Sequence, residues 1–190
     1  LGEKVSQERL PDLLVTTHGE LIMKNLFRDF KGFCNMIQRR IDWPEGPYSL
    51  EILPPDDDRE DAVAVHYYQI NHDLSTSSII TLFPENVMAA SEGWKKDDII
   101  LQVGVTACHE MAHALWFVRF VHDHKTVWDQ GLVDVTLQDL YEHCYDVLRS
   151  DIEGGHHAAW RKIMRTEMGA PDDTTWCYST QVPKILSREN

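Results

Sequence analysis

Cys108-His109-Glu110-Met111-Ala112-His113 contains a histidine followed by glutamate, two further residues and a second histidine. On a helix of 3.6 residues per turn, His109 and His113 project from one face one turn apart, so two imidazoles can hold one metal ion. Glu110 is displaced around the helix from that face. From there a carboxylate can take a proton from water activated by the metal, so the chemistry this spacing serves is metal-assisted hydrolysis with Glu110 as general base. The alternative is two histidines hydrogen-bonded in a core. That alternative buries three polar side chains at several kcal/mol unless something satisfies them together, and one metal ion would do so.

The motif needs a buried helix, and the flanks supply one. Ile99, Ile100, Leu101, Val103 and Val105 precede it; Leu115, Trp116, Phe117, Phe120 and Val121 follow, with Gly104 the one weak helix former in the run. Asp97 and Asp98 stand where a helix start favours negative charge. Before it, Leu21, Leu26, Phe30, Phe33, Cys34, Ile37 and Ile41 recur at three- and four-residue steps, predicting an amphipathic helix over 20–41, while residues 1–18, broken by Pro11, predict an arm or short helix. Residues 48–53, 62–70 and 77–83 read as strands, joined by an acidic loop and a short turn, and predict an antiparallel meander of about three strands. Residues 122–131 are polar and read as irregular. Thr136 caps a helix to about Arg149, another begins near His156 and stops at Gly169 and Pro171, and 172–190 reads as a tail. The expectation is a single α+β domain over 1–190: a small antiparallel sheet packed with several helices, one of them long and metal-binding.

A catalytic zinc takes three protein ligands and keeps one position open. His156, His157, His124 and Asp134 are the candidates for the third; His122 and His124 lie further along the rod if the helix continues. Tyr141, Tyr145 and Arg161 are candidate oxyanion donors, and the strand 77–82 is a candidate edge for an extended substrate to pair with.

The combination resembles the SprT-like (Spartan-type) metalloproteases, in which a β-branched strand precedes the long helix and a later Gly-His segment supplies the third histidine. The matching residues are Ile79 to Leu82, His109-Glu110-Met111-Ala112-His113-Ala114, and Gly155-His156-His157-Ala158-Ala159-Trp160-Arg161-Lys162-Ile163-Met164, so the likeness covers about 60–168. It implies Zn²⁺ on His109, His113 and His156, a peptide-bond substrate and, through the family, proteins crosslinked to DNA. His157 stands where the family has glycine. The span 117–155 forms an insertion between the motif halves, His156 following His113 by 43 residues. Two rival readings are a non-catalytic zinc-stabilised interaction module and an iron-dependent oxidative enzyme, the latter needing a carboxylate such as Asp134 as third ligand.

Composition sets bounds on partners. Lys and Arg total 18 against 31 Asp and Glu, a formal charge of −13, and no basic cluster exceeds Lys95-Lys96 or Arg161-Lys162. A DNA-tracking surface needs several phosphate contacts, so only weak autonomous DNA binding is expected. No apolar run reaches membrane-spanning length. Cys34, Cys108, Cys144 and Cys177 form no paired motif, and a reducing compartment, nuclear or cytoplasmic, is the expectation.

Overall fold

The computed structural model of the protein describes residues 10–55, 62–131, 135–150, 156–170 and 182–187. The element order is α1 (Leu10–Arg40), β1 (Tyr48–Leu53), β2 (Ala64–Ile70), β3 (Thr76–Leu82), α2 (Pro84–Ala90), α3 (Lys96–Asp129), α4 (Leu137–Ser150) and α5 (Ala158–Thr166), followed by a single 3-10 turn (Lys184–Leu186). This is an α+β architecture: one small sheet packed with helices.

Helix α3 forms the centre. Val103, Val105, Ala107, Cys108, Met111, Ala112, Ala114, Leu115 and Phe117 are all buried, covering its whole circumference, so the helix must be surrounded on every side. Helix α1 contributes Leu26, Phe30, Cys34 and Ile37, the sheet Ile52, Ile80 and Leu82, and α5 Trp160, Ile163 and Met164 to the same core. Gly104 allows a close approach of two further side chains. A Cβ there would stand 3.0 Å from Leu186 and 3.4 Å from Phe33.

Several expectations are corrected here. Helix α1 begins at Leu10, so residues 10–18 are its first turns and not a separate arm; Pro11 sits in the first turn, where its missing N–H costs nothing. The sheet is mixed, with order β1-β3-β2: β2 and β3 are antiparallel, but β1 runs parallel to β3. Burial accounts for the strand order. Strand β3 carries Ile80, Thr81 and Leu82, all buried, and takes the doubly paired centre, leaving the more exposed β1 and β2 as edges. The β2–β3 turn is held by Asp73, whose carboxylate accepts from the Ser75 N–H at 2.9 Å and hydroxyl at 2.7 Å. It places Leu74 at φ 61°, a strained backbone for leucine, whose side chain is nevertheless buried.

Residues 122–129 continue α3 instead of unravelling, because no helix breaker occurs before Gly131, at φ 66°. Helix α4 opens as expected on a reciprocal cap. The Thr136 hydroxyl accepts from the Asp139 N–H at 3.1 Å, and the Asp139 carboxylate accepts from the Thr136 N–H at 3.0 Å. Its Leu140, Cys144 and Leu148 form a second cluster with Ile70, Leu74, Phe117, Val118 and Val121. Within the expected tail, Ile185 and Leu186 dock on the main core, fastened by Arg40 donating to the Ile185 and Ser187 carbonyls. Among the described residues no helix is long and apolar enough to cross a membrane. Cys34, Cys108 and Cys144 are buried free thiols; Cys177 lies outside the described residues.

Candidate metal centre

Two elements make the site. Helix α3 carries His109 and His113 on one face, and the residues entering α5 bring His156 against them. His109 Nε2 lies 3.2 Å from His113 Nε2 and 3.0 Å from His156 Nε2. Two nitrogens bound to one zinc at about 2.0–2.1 Å and near the tetrahedral angle stand about 3.3 Å apart. The donor atoms of the three imidazoles all lie within 4.8 Å of one another, a spacing that fits a single ion. His109 Nε2 faces both other Nε2 atoms, and a single ring nitrogen cannot pair fully with two others, whereas one cation could take all three lone pairs.

Burial holds these rings neutral, which is the metal-binding form. The pKa of His109 falls to about 3, through burial first and the neighbouring His156 second. That of His113 falls to about 2, through burial, then His109, His66, His156 and His157. His156 is lowered as well, by burial and by Arg161.

Trp160 of α5 packs against all three rings, with centroids 4.9 Å from His109, 5.1 Å from His113 and 4.5 Å from His156. Sequence places Trp160 on the apolar side of its helix but does not reveal this contact. An ion pair ties the C-cap of α5 to α3, Arg119 donating to Glu167 at 3.1 Å; the same guanidinium also donates to the Asp42 carbonyl at 3.1 Å.

The rivals for third ligand separate by what else they hold. His157 is the N-cap of α5, its Nδ1 accepting from the Trp160 N–H at 3.3 Å. His124 donates from Nδ1 to the Phe120 carbonyl at 2.7 Å and faces α4. His122 lines a different cavity with Lys125 and Asp129. Asp134 and Gly155 lie outside the described residues.

Glu110 is 7% exposed, and burial pushes its pKa up to about 8. It is not part of the gathered donor set. Among the described residues it forms no side-chain hydrogen bond or ion pair, so its proton affinity is set by desolvation.

Two expectations about the surroundings change. Strand β3 is paired on both sides and offers no edge; β2 is the edge strand packed beside α3. Of the oxyanion candidates, Tyr145 accepts from the Ile70 N–H at 3.4 Å and Tyr141 stacks on His72, so both are committed to the end of β2, while Arg161 lies in electrostatic reach of His156. A residue not singled out from sequence, His66, lies on the sheet face turned to α3. Its Nε2 is 3.0 Å from Ser78 Oγ and its ring 6.1 Å from Phe117, one turn beyond His113. The signal was a histidine in the strand register shared by Ala64, Tyr68 and Ile70.

Comparison of the chain with family models, with curated proteins and with solved structures finds no match.

Proposed function

We propose that this protein is a zinc-dependent hydrolase of peptide bonds, with His109, His113 and His156 as ligands and Glu110 as general base. The convergence of three neutral imidazoles, with the carboxyl that follows His109 buried and outside the donor set, is the observation that carries the reading. When bound, zinc supplies Lewis acidity and acidifies water at its open position. Burial alone raises Glu110 to about 8; a bound cation would draw it back to the carboxylate form, in which it would accept the proton of the attacking water and return it to the leaving amine. An extended peptide would add to β2, which pairs with β3 alone among the described strands. The all-imidazole donor set suits zinc better than an oxidative iron site, which calls for a carboxylate ligand.

The finer reading is a protease for proteins crosslinked to DNA, and it rests on the SprT-like resemblance alone. With 31 acidic against 18 basic residues, the chain itself should grip DNA weakly, leaving recruitment to another segment or a partner. Labelled DNA titrated across a salt series tests this: tight binding near physiological salt would overturn it.

The second reading is a non-catalytic zinc-stabilised module. It is favoured by Trp160 packing against all three rings, which ties the cluster into the apolar core. Glu110→Gln separates the two. The hydrolase reading expects metal content unchanged and turnover of an unfolded protein substrate reduced by about 10²–10⁴-fold. A wild-type protein with full zinc and no turnover that Glu110→Gln changes would favour the module.

A further inference from the structure

The second concentration of histidines lies where α3 ends against α4, and the centre already described does not use it. A cavity of about 470 Å³ there is lined by His124 and His143 together with Asp123 and Asp139, over an apolar floor of Val127, Val135 and Leu140. The two imidazole centroids are 5.6 Å apart with an interplanar angle of 48°. That spacing is close to the 5.3 Å between His113 and His156 in the first cluster. Two imidazoles bound through nitrogen to one zinc place their centroids about 5.2–5.5 Å apart for angles between tetrahedral and 120°. The observed 5.6 Å is close to that range, and His143 is an exposed side chain on α4 that can turn its ring toward His124.

His124 is also set in the form a metal requires. A carbonyl only accepts, so the 2.7 Å contact with the Phe120 carbonyl makes Nδ1 the protonated nitrogen and leaves the lone pair on Nε2. This is the arrangement by which an outer hydrogen bond fixes the tautomer and direction of a ligating histidine. The carboxylates of the cavity are engaged elsewhere, Asp139 by Thr136 and Asp123 by His122 Nδ1 at 3.5 Å, so water is left to complete the coordination of the two imidazoles.

We propose that His124 and His143 form a second, two-imidazole site for a borderline divalent cation of the zinc, nickel and copper class, completed by water, which clasps α4 onto α3. With two imidazoles on separate helices it binds more weakly than the three-histidine centre. The inference stands on this geometry and does not depend on the hydrolase reading.

Calorimetric titration of the metal-free full chain with zinc tests it. Wild type should take up two equivalents, the second at least ten-fold weaker. His143→Ala, at an exposed position, should keep the tight equivalent and lose the weak one, and His124→Ala should do the same. His72→Ala, an exposed histidine outside the cavity, should behave as wild type. In zinc-loaded protein given one further equivalent of Cu²⁺, the spin-resonance spectrum should show two imidazole nitrogens, reduced to one in His143→Ala. One equivalent in wild type, two retained in His143→Ala, or a copper signal unmoved by that substitution would each overturn the proposal. A His109→Ala/His113→Ala protein that keeps the weak equivalent shows that the two sites fail separately.

Discussion

The two histidine groups on α3 sit on one rod, yet the helix presents them to different surroundings. At mid-helix, His109 is 7% exposed, the second imidazole follows at the next turn, and α5 brings a third within 3.0 Å. At the C-terminal end His124 is half-buried, its partner His143 is exposed on a separate helix, and the rings stop at 5.6 Å. The residue type is the same in both places. What differs is how many packed neighbours fix each ring before a ligand arrives. A metal centre is thus made by the apolar shell as much as by its donors, since preorganised donors do not have to be ordered when the ion binds.

The largest effect expected from breaking this contrast is at the first group. His109→Ala should abolish tight zinc binding and with it the stabilisation that metal adds to the native state, about 4 kcal/mol at a zinc concentration 1,000 times the dissociation constant. Melting curves with and without a chelator measure it; a variant whose melting temperature still falls on chelation would show that the ion sits elsewhere. Substitution of His156 should have the same sign, and this sharpens the comparison with its neighbour below.

Next in size is the pH response of His66. Burial lowers its pKa from 6.5 to about 4, so the folded protein holds it neutral. The unfolded chain binds a proton on this side chain below about pH 6.5, so the stability linked to His66 is complete above that pH and is lost as pH falls toward 4. Discounted for the partial exposure of the ring, the loss is about 2 kcal/mol. His66→Gln should flatten the part of the stability profile between pH 6.5 and 4 that belongs to this group. An unchanged slope in chelator-treated protein would refute the assignment.

Smaller again is His157→Ala. Its ring caps α5, so the substitution should cost about 1 kcal/mol while leaving one tight zinc per chain. His156→Ala should remove that zinc. Were the two variants to exchange these behaviours, the ligand and the cap would have been assigned the wrong way round. Gly104→Ala should change least: better helix propensity, about 1 kcal/mol, offsets a Cβ placed 3.0 Å from the flexible end of Leu186. Gly104→Val would separate the two, by crowding Leu186 and Phe33 more with a smaller gain in propensity than alanine gives.

Much of this was legible in the chain itself. The spacing of His109 and His113, the apolar residues around them and the absence of a breaker predict a buried helix with two imidazoles on one face, because helical periodicity is local. The three strands, the Thr136 cap and the stop at Gly169 follow from equally local chemistry. Tertiary structure decided what depends on distance in space. His156 reaches His109 across 47 residues because Trp160, Ile163 and Met164 bury α5 against α3. His157 differs from it by one position and turns to cap a helix, a distinction that spacing cannot draw. The parallel pairing of β1 with β3 is likewise non-local: alternation tells which face of a strand is buried but carries no information on which neighbour it pairs with or in which direction. The sequence by itself determined the two-histidine helix and its carboxylate; the packing around α3 decided which third imidazole completes the cluster, and which strand is left with an open edge beside it.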